Sequence, residues 1–114
     1  MPRPRKCRRV CMLPRAAAFQ SVGSEHSHPV TMTVEEYEAI RLIDLEGLTQ
    51  EQAAQRMSVA RPTVQRIYDA ARRKLASFLV DGGSLRVMGG DYEVCGGTPL
   101  PCCGHKCPRR AADE

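Results

Sequence analysis

The 114-residue sequence has few aromatic residues and no long apolar run. It contains no tryptophan, three tyrosines and two phenylalanines, so a core would have to be built mainly from aliphatic side chains. No stretch approaches the roughly 20 apolar residues that cross a bilayer. The basic N-terminus lacks the apolar segment of a signal peptide, because Ala16–Phe19 is too short. We therefore expect no membrane span, no secretion signal and a cytoplasmic protein.

Motifs of the common catalytic types are also missing. The sequence has no glycine-rich phosphate loop, no nucleophile elbow and no carboxylate pair in an evident cleft. The acidic residues of the first predicted helix are interpreted as a solvent-exposed face. We therefore expect that the protein is not an enzyme. The length fits one domain, and so small a core would gain stability from a metal or a partner subunit.

Charge is unevenly distributed along the chain, although the net charge is only +4. Residues 1–15 carry six basic side chains and no acidic one, residues 33–57 are acidic on balance, and residues 58–80 are basic again. Such a distribution favours a molecule with one anion-binding side. A solvated charged surface would give the same pattern, so charge alone does not decide between the two interpretations.

The first of three predicted helices starts at a capping box. Thr33 lies three residues before Glu36, the spacing at which each side chain can bond the other's backbone N–H. Met32 is placed to pack against Tyr37, which would fix the entry of the chain into the helix. Gly47 is predicted to end this helix, because glycine readily takes the left-handed conformation of a C-terminal cap.

Two further helices are predicted directly after the first. Thr49 and Gln52 form a second capping box, and the helix that they start is predicted to run to about Met57. The third helix is predicted to start near Arg61 and to continue to about Val80, because its apolar residues keep a helical spacing over that length.

The segment 48–67 has the features of a helix-turn-helix, a motif that places its second helix in the DNA major groove. Ala53 and Ala54 are small enough for two helices to pack closely. The turn departs from the usual pattern, which has glycine and then a serine or threonine cap. Ser58 would need a left-handed conformation that glycine adopts more easily, and Ala60 is a poor helix cap.

The basic and polar residues of this region are assigned to two kinds of DNA contact. Base edges are predicted to be read by four outward residues of the third helix, Arg61, Thr63, Gln65 and Arg66. Backbone contacts are predicted for Thr49, for Arg72, Arg73 and Lys74, and for the N-terminal arm with Arg3, Arg5, Lys6, Arg8 and Arg9. The alternative is a helical hairpin that packs against a protein partner while the arginines are solvated.

Beyond residue 83 the hydrophobic period changes to that of strands. Two apolar segments within 84–95 flank Gly89-Gly90-Asp91, which predicts a β-hairpin with a glycine turn. A lone hairpin is marginally stable, so we expect it to dock on the helices or to pair with a short N-terminal strand at 10–13. A further short strand is predicted at 30–32.

The predicted fold class is mainly α: a helix-turn-helix with a long third helix, plus a small β-hairpin and a Cys-rich tail. The predicted regions are a basic N-terminal arm and loop (1–32), a helical domain (33–80) containing the helix-turn-helix (48–67), the hairpin (84–95) and the Cys-rich C-terminal tail (96–114).

Two resemblances to known families accompany these patterns. The C-terminal promoter-reading helix-turn-helix of sigma factors is similar to Leu48–Lys74, LTQEQAAQRMSVARPTVQRIYDAARRK. A family of small, uncharacterised prokaryotic proteins thought to bind DNA resembles more of the chain, from PRPRKCRRVC through VTMTVEEYEAIRLIDLEGLTQEQAA to LRVMGGDYEVC. Both resemblances imply DNA binding. The second adds little on function, because the role of that family is itself inferred from the helix-turn-helix.

Six cysteines in a cytoplasmic chain favour metal ligands or thiols over a disulfide framework. A zinc site needs four thiolate or imidazole ligands, and zinc is the metal that we predict. Four thiolates would equally hold an iron–sulfur cluster. The candidate ligands, of which a subset would bind, are Cys7, Cys11, Cys95, Cys102, Cys103, His105 and Cys107. Free thiols, small buried hydrophobic residues and a redox-sensitive pair are the alternatives.

The predicted function is sequence-specific DNA binding by a transcriptional regulator, whose Cys-rich tail is stabilised by a metal or senses one. Double-stranded DNA is the expected partner, no membrane is expected, and a homodimer and contact with the transcription machinery are left open. The alternative is a zinc or iron–sulfur protein whose helices contact a protein partner instead of DNA.

Overall fold

The computed structural model describes residues 8–23 and 29–94. Its strands are β1 (Arg8–Val10), β2 (Ala18–Gln20), β3 (Pro29–Met32), β4 (Ser84–Val87) and β5 (Tyr92–Val94). Its helices are α1 (Val34–Ile40), α2 (Gln50–Met57) and α3 (Arg61–Asp81). Helix α1 continues directly into a π-helical turn (Arg41–Leu45). Within these residues no helix is both long and apolar enough to cross a membrane.

The strands form two small sheets that pack with the helices. In the larger sheet β4 lies in the centre, antiparallel to β2 and parallel to β3, with Leu85 opposite both Phe19 and Val30. In the smaller sheet β1 and β5 run parallel, with Val10 opposite Val94. The described chain is therefore an α/β domain, and the prediction of a mainly α fold is wrong.

The predicted hairpin at 84–95 is also wrong, because its two strands do not pair with each other. Gly89 and Gly90, with φ angles of +77° and +103°, lie between β4 and β5, and the two strands join different sheets. The apolar pattern specified where strands form, but not their partners. The alternative of pairing with an N-terminal strand is confirmed, although that strand is Arg8–Val10 rather than 10–13.

Both predicted capping boxes are present at the helix starts. Thr33 Oγ1 accepts a hydrogen bond from the Glu36 N–H at 3.2 Å, and Glu36 Oε1 accepts one from the Thr33 N–H at 2.8 Å. Thr49 and Gln52 repeat this arrangement at 3.1 and 2.9 Å. These bonds satisfy backbone donors that have no partner within the helix, which is why the helices begin there.

The turn between α2 and α3 has the conformation that the sequence required. Ser58 is left-handed, with φ +58° and ψ +44°, and is the only described non-glycine residue with positive φ. Ala60 is extended and makes no side-chain cap, while Pro62 occupies the first turn of α3, where its missing N–H costs little. The Val59 N–H donates to the Ala54 carbonyl at 3.0 Å and closes the end of α2.

Two apolar clusters make up the described core, and α3 contributes to both. One cluster joins α1, the π-helical turn, α2 and the first half of α3, and includes Leu42, Met57, Val64 and Ile67. The other lies between the sheets and the middle of α3, around Ala71. Because α3 buries the same side along this length, its opposite side remains exposed.

Candidate nucleic-acid interface

The α2–α3 unit (residues 50–81) holds the start of α3 at a defined orientation. Ala53 and Met57 of α2 are fully buried in the same cluster as Val64 and Ile67 of α3. Close packing of this kind leaves few rotamers and little room for movement. Side chains on the other side of α3 are therefore presented by a rigid element.

The exposed side of α3 forms a shallow groove that gathers two of the predicted base-reading residues. Gln65 and Arg66 line this groove together with Asp69 and Arg73. All four are exposed, and Arg66 and Arg73 make no ion pair with any residue that the structure describes. Their guanidinium groups are therefore available for a ligand.

A second group of predicted residues meets at the start of α2. Thr49 and Arg61 line one shallow depression together with Gln50 and Glu51. Arg61 is exposed and, within the described chain, makes no ion pair. Arg61 and the backbone donors of the helix start favour an anionic group here, whereas the Glu51 carboxylate opposes one.

Thr63 lies apart from the other predicted base-reading residues. It lines a separate groove beside the turn, with Ala54 and Gln55 of α2, with the cap residue Ser58 and with Arg8 of β1. Thr63 is also half-buried, whereas Gln65 and Arg66 are exposed. The structure therefore separates Thr63 from Gln65 and Arg66.

Two of the predicted phosphate-contacting residues form ion pairs within the protein. Lys74 Nζ donates to Glu36 Oε1 at 2.7 Å. Arg8 has a side chain only 14% exposed, and its guanidinium nitrogens lie 3.3 Å from Glu35 Oε2 and 3.5 Å from Asp91 Oδ2. Because these charges are neutralised by neighbouring carboxylates, neither side chain is freely available to an external anion.

Arg72 and Arg9 are only partly engaged within the protein or only partly exposed. The Arg72 guanidinium lies 5.4 Å from the centre of the Tyr68 ring and 4.0 Å from Asp44 Oδ2, but its side chain is 63% exposed. Arg9 is half-buried in β1. The other predicted residues of the basic arm, Arg3, Arg5 and Lys6, lie outside the described residues.

Most of the predicted metal ligands also lie outside the described residues. Of the candidates, Cys7, Cys95, Cys102, Cys103, His105 and Cys107 are in this group. Cys11 is described and fully buried, and its backbone N–H donates to Glu38 Oε2 at 2.9 Å. Among residues 8–23 and 29–94, no three His, Cys, Asp or Glu side chains are grouped so that they could hold a metal ion.

The prediction that the acidic residues of α1 form a solvent-exposed face is wrong. Glu35, Glu36 and Glu38 are all buried, and Glu38 has no exposed surface. Arg41 donates two hydrogen bonds to Glu38, at 2.7 and 2.9 Å, and a third to Glu46 at 2.7 Å. Burial alone would lower the pKa of Arg41, but the hydrogen bonds and charge of Glu38 raise it above its usual value.

Each buried carboxylate of α1 bonds a different part of the chain. Glu35 Oε1 accepts from the Asp91 N–H at 2.6 Å, while Glu36 and Glu38 hold Lys74 and the Cys11 backbone. Sequence reasoning missed this role. The three-residue spacing of Glu38 and Arg41 was a usable signal, but no local pattern identifies partners that are 27 to 56 residues away.

Tyr68 connects α3 to the π-helical turn. Its ring is buried in the core, and its hydroxyl donates to Asp44 Oδ1 at 2.7 Å. This hydrogen bond, together with burial and the negative charge of Asp44, raises the pKa of Tyr68 above its ordinary value. Tyr68 is therefore part of the support behind the exposed side of α3 rather than part of that surface.

The fold and this surface together define a small α/β domain that presents one exposed, partly basic helix side. The chain belongs to the family described as protein of unknown function DUF134, whose model matches residues 1–95. A UPF0251 protein of Desulfitobacterium hafniense strain DCB-2 is 51% identical over 112 residues, which cover 96% of this chain and 89% of the relative.

Other relatives carry the same family name. A UPF0251 protein of Thermoanaerobacter pseudethanolicus is 53% identical over 96 residues, covering 82% of this chain and 81% of the relative. A UPF0251 protein of Moorella thermoacetica is 44% identical over 128 aligned positions, which cover 100% of this chain and 85% of the relative. No solved structure matches the chain significantly. The relatives therefore establish the family, while their names assign no activity.

Proposed function

We propose that this protein binds double-stranded DNA with sequence specificity and acts as a transcriptional regulator. The α2–α3 unit would serve as a helix-turn-helix, in agreement with the sigma-factor resemblance of Leu48–Lys74. The observation that carries the proposal is the exposed side of α3, where Arg66 and Arg73 make no ion pair with any residue that the structure describes. Exposed arginines on a helix with a buried opposite face are typical of a major-groove reader.

The length of α3 divides its residues between bases and backbone. A helix advances about 1.5 Å per residue, so Arg61 to Asp69 span about 12 Å, which is the width of the major groove. Gln65 and Arg66 fall within this span and are assigned to base edges. Arg73 lies one turn beyond it and is assigned to a phosphate, as are Arg61 and the backbone donors after Thr49.

The internal ion pairs revise the set of DNA contacts. Lys74 and Arg8 are assigned to holding the fold, because their charges are already neutralised by Glu36 and Glu35. Thr63 is assigned to the groove beside the turn rather than to a base, because it is half-buried and separate from Gln65 and Arg66. The predicted arm of Arg3, Arg5 and Lys6 remains a backbone-contact proposal.

Selection of duplexes from a random pool, followed by a salt titration on the selected site, tests the proposal. Arg66→Ala is expected to cost about 1–3 kcal/mol of binding free energy at that site, because a base-reading contact is lost. Arg86→Ala, which removes an equal charge from an exposed position of β4, is the matched control and should bind almost as the unchanged protein does.

An affinity for duplexes that does not fall with rising salt would contradict DNA binding, since phosphate contacts release counterions. Equal binding of the selected site by Arg66→Ala and the unchanged protein would overturn the assignment of α3 as the base-reading helix.

A second candidate function, metal binding, is favoured by the register of the smaller sheet. β1 and β5 pair in parallel with Val10 opposite Val94, and in the sequence each of these valines is directly followed by a cysteine, Cys11 or Cys95. Adjacent parallel strands that lead into cysteines favour a shared zinc or iron–sulfur site, with further ligands from the tail. In this alternative the helices contact a protein partner.

Metal analysis of protein purified without added metal separates the two candidates. Stoichiometric zinc or iron that is lost in Cys95→Ser, with no duplex binding, supports the metal-binding protein. A chelator that changes DNA affinity while the helical circular dichroism signal persists supports a regulator whose metal controls DNA binding. If the purified protein contains no metal and still binds duplexes with full affinity, the proposed metal site is contradicted.

A further inference from the structure

An acidic residue lies in the middle of the exposed side of α3. Asp69 comes three residues after Arg66 and four before Arg73, so the three side chains project from the same side of the helix. Asp69 is exposed, and within the described chain it makes neither a hydrogen bond nor an ion pair. Among residues 8–23 and 29–94, its carboxylate therefore has no partner that would give it a structural role.

A carboxylate on a surface that faces DNA is unfavourable unless it meets a hydrogen-bond donor. The phosphates repel it, and contact with a base edge that offers only acceptors would leave it desolvated and unpaired. In the major groove cytosine presents its N4 amino group as a donor, and aspartate is a suitable acceptor for it. Adenine also presents an amino donor there, but the acceptor N7 beside it repels a carboxylate, so cytosine is the base that makes the contact favourable.

We propose that Asp69 is a specificity-determining residue that accepts a hydrogen bond from the N4 amino group of a cytosine in the major groove. This inference rests on the proposed DNA binding through α3. Asp69 is the ninth residue of α3, at the end of the span of about 12 Å that fits the groove. It lies about 4.5 Å further along the helix axis than Arg66, close to the step of about 3.4 Å between base pairs.

The cytosine is therefore expected next to the base that Arg66 reads. Arginine pairs best with guanine, so Arg66 and Asp69 together would read a guanine and a cytosine at neighbouring base pairs. Duplexes without that cytosine are disfavoured by the unpaired carboxylate, which gives Asp69 a part in rejecting other sequences as well as in binding the correct one.

Duplex selection with Asp69→Asn tests the assignment. Asparagine is neutral and pairs with adenine, so the preferred base at one position should change from cytosine to adenine. The preference for cytosine over the other bases at this position should fall by about 10-fold, which is in the range of one base contact. Affinity for unrelated duplexes should rise about 2-fold or more, because one repulsive charge is removed.

Asp81→Asn is the matched control. It removes the same charge from an exposed residue of the same helix, about 18 Å further along its axis. The base preferences of this variant should equal those of the unchanged protein. If instead Asp81→Asn raises non-specific affinity and alters the selected bases as Asp69→Asn does, the effect is one of net charge and the assignment of Asp69 is overturned.

The outcomes separate this inference from the proposed function. If the unchanged protein selects a sequence and Asp69→Asn selects the same one, DNA binding stands and the role of Asp69 is overturned. A selected sequence with no cytosine preference beside the guanine also overturns it. If the unchanged protein enriches no sequence, the proposed function itself fails, and this inference fails with it.

Discussion

The charged side chains of α1 and α3 are used in opposite ways. On α1 the carboxylates of Glu35, Glu36 and Glu38 are buried, and each is bonded to another segment of the chain. On α3 the guanidinium groups of Arg66 and Arg73 are exposed and, among the described residues, without ion pairs. The acidic helix therefore holds the fold together, whereas the basic helix presents charge to the outside.

The contrast shows that the sequence of charges does not reveal whether a charged side chain stabilises the fold or is exposed to a ligand. Burying a carboxylate is costly unless it is hydrogen-bonded or paired, so a buried acid implies a nearby donor. An exposed arginine has no such requirement and contributes little to stability. The two regions should therefore respond differently to mutation: α1 through the free energy of unfolding, and α3 through the affinity for a ligand.

The largest effect is expected from Glu38→Ala. This change leaves the buried Cys11 N–H without its acceptor and Arg41 with Glu46 alone, so the free energy of unfolding should fall by about 3–5 kcal/mol. Urea unfolding followed by circular dichroism measures the change. Glu93→Ala, at an exposed position of β5, is the control and should alter stability by less than about 0.5 kcal/mol. Equal effects would remove the distinction between buried and exposed acids.

A smaller effect is expected where the chain passes close to α1. Gly90 has φ +103°, and a Cβ atom there would collide with the Glu35 carboxylate and lie 2.9 Å from Thr33 Cβ. Gly90→Ala should therefore cost about 2–3 kcal/mol of unfolding free energy. The control is Gly89→Ala, which shares a positive φ but has nothing within 4 Å, and it should cost about 1 kcal/mol. Thermal unfolding of both variants measures the difference, and identical midpoints would contradict the close contact.

Two neighbouring basic residues of α3 test the contrast within one helix. Lys74→Met breaks the bond to the buried Glu36 and should cost about 1–2 kcal/mol of stability while leaving DNA affinity nearly unchanged in the folded protein. Arg73→Met should do the reverse, with stability unchanged within about 0.5 kcal/mol and weaker, less salt-dependent DNA binding. Chemical unfolding and binding titrations on the same preparations provide both readouts. The contrast fails if the two variants behave alike.

The smallest effect concerns the support behind the exposed side of α3. Tyr68→Phe removes the hydroxyl bond to Asp44 and should cost about 1 kcal/mol at neutral pH. Since the hydrogen bond raises the pKa of Tyr68 in the folded state, its contribution is complete below about pH 10 and is lost as the pH rises above that value. The difference between the two proteins should therefore shrink at high pH in unfolding measurements. A constant difference up to pH 12 would contradict this account.

Local features of the sequence predicted most helix boundaries. The capping boxes at Thr33 and Thr49 and the left-handed Ser58 are present as expected, and α3 ends at Asp81, one residue from the predicted position. These features act within about four residues, so neighbouring side chains suffice to specify them. The short strand β2 was missed, since Ala18–Gln20 has no alternation that distinguishes it from a loop.

Features that depend on distant residues could not be predicted in this way. β4 pairs with β2 and β3 rather than with β5, because a strand can satisfy its backbone donors with any partner that the fold brings near. The internal ion pairs of Lys74 and Arg8 could not be predicted for the same reason. Their carboxylate partners lie 38 and 27 residues away in the sequence, beyond the reach of any local pattern.

The sequence by itself determined where the helices begin and end, the left-handed turn between α2 and α3, and the basic character of the exposed side of α3. The tertiary structure decided which strands pair, that the acids of α1 are buried, and which basic residues remain available for a ligand. The physical reason is the range of the interactions. Caps and turns involve residues within one or two helical turns, whereas the partner of a buried charge or of a strand is set by packing across the whole domain.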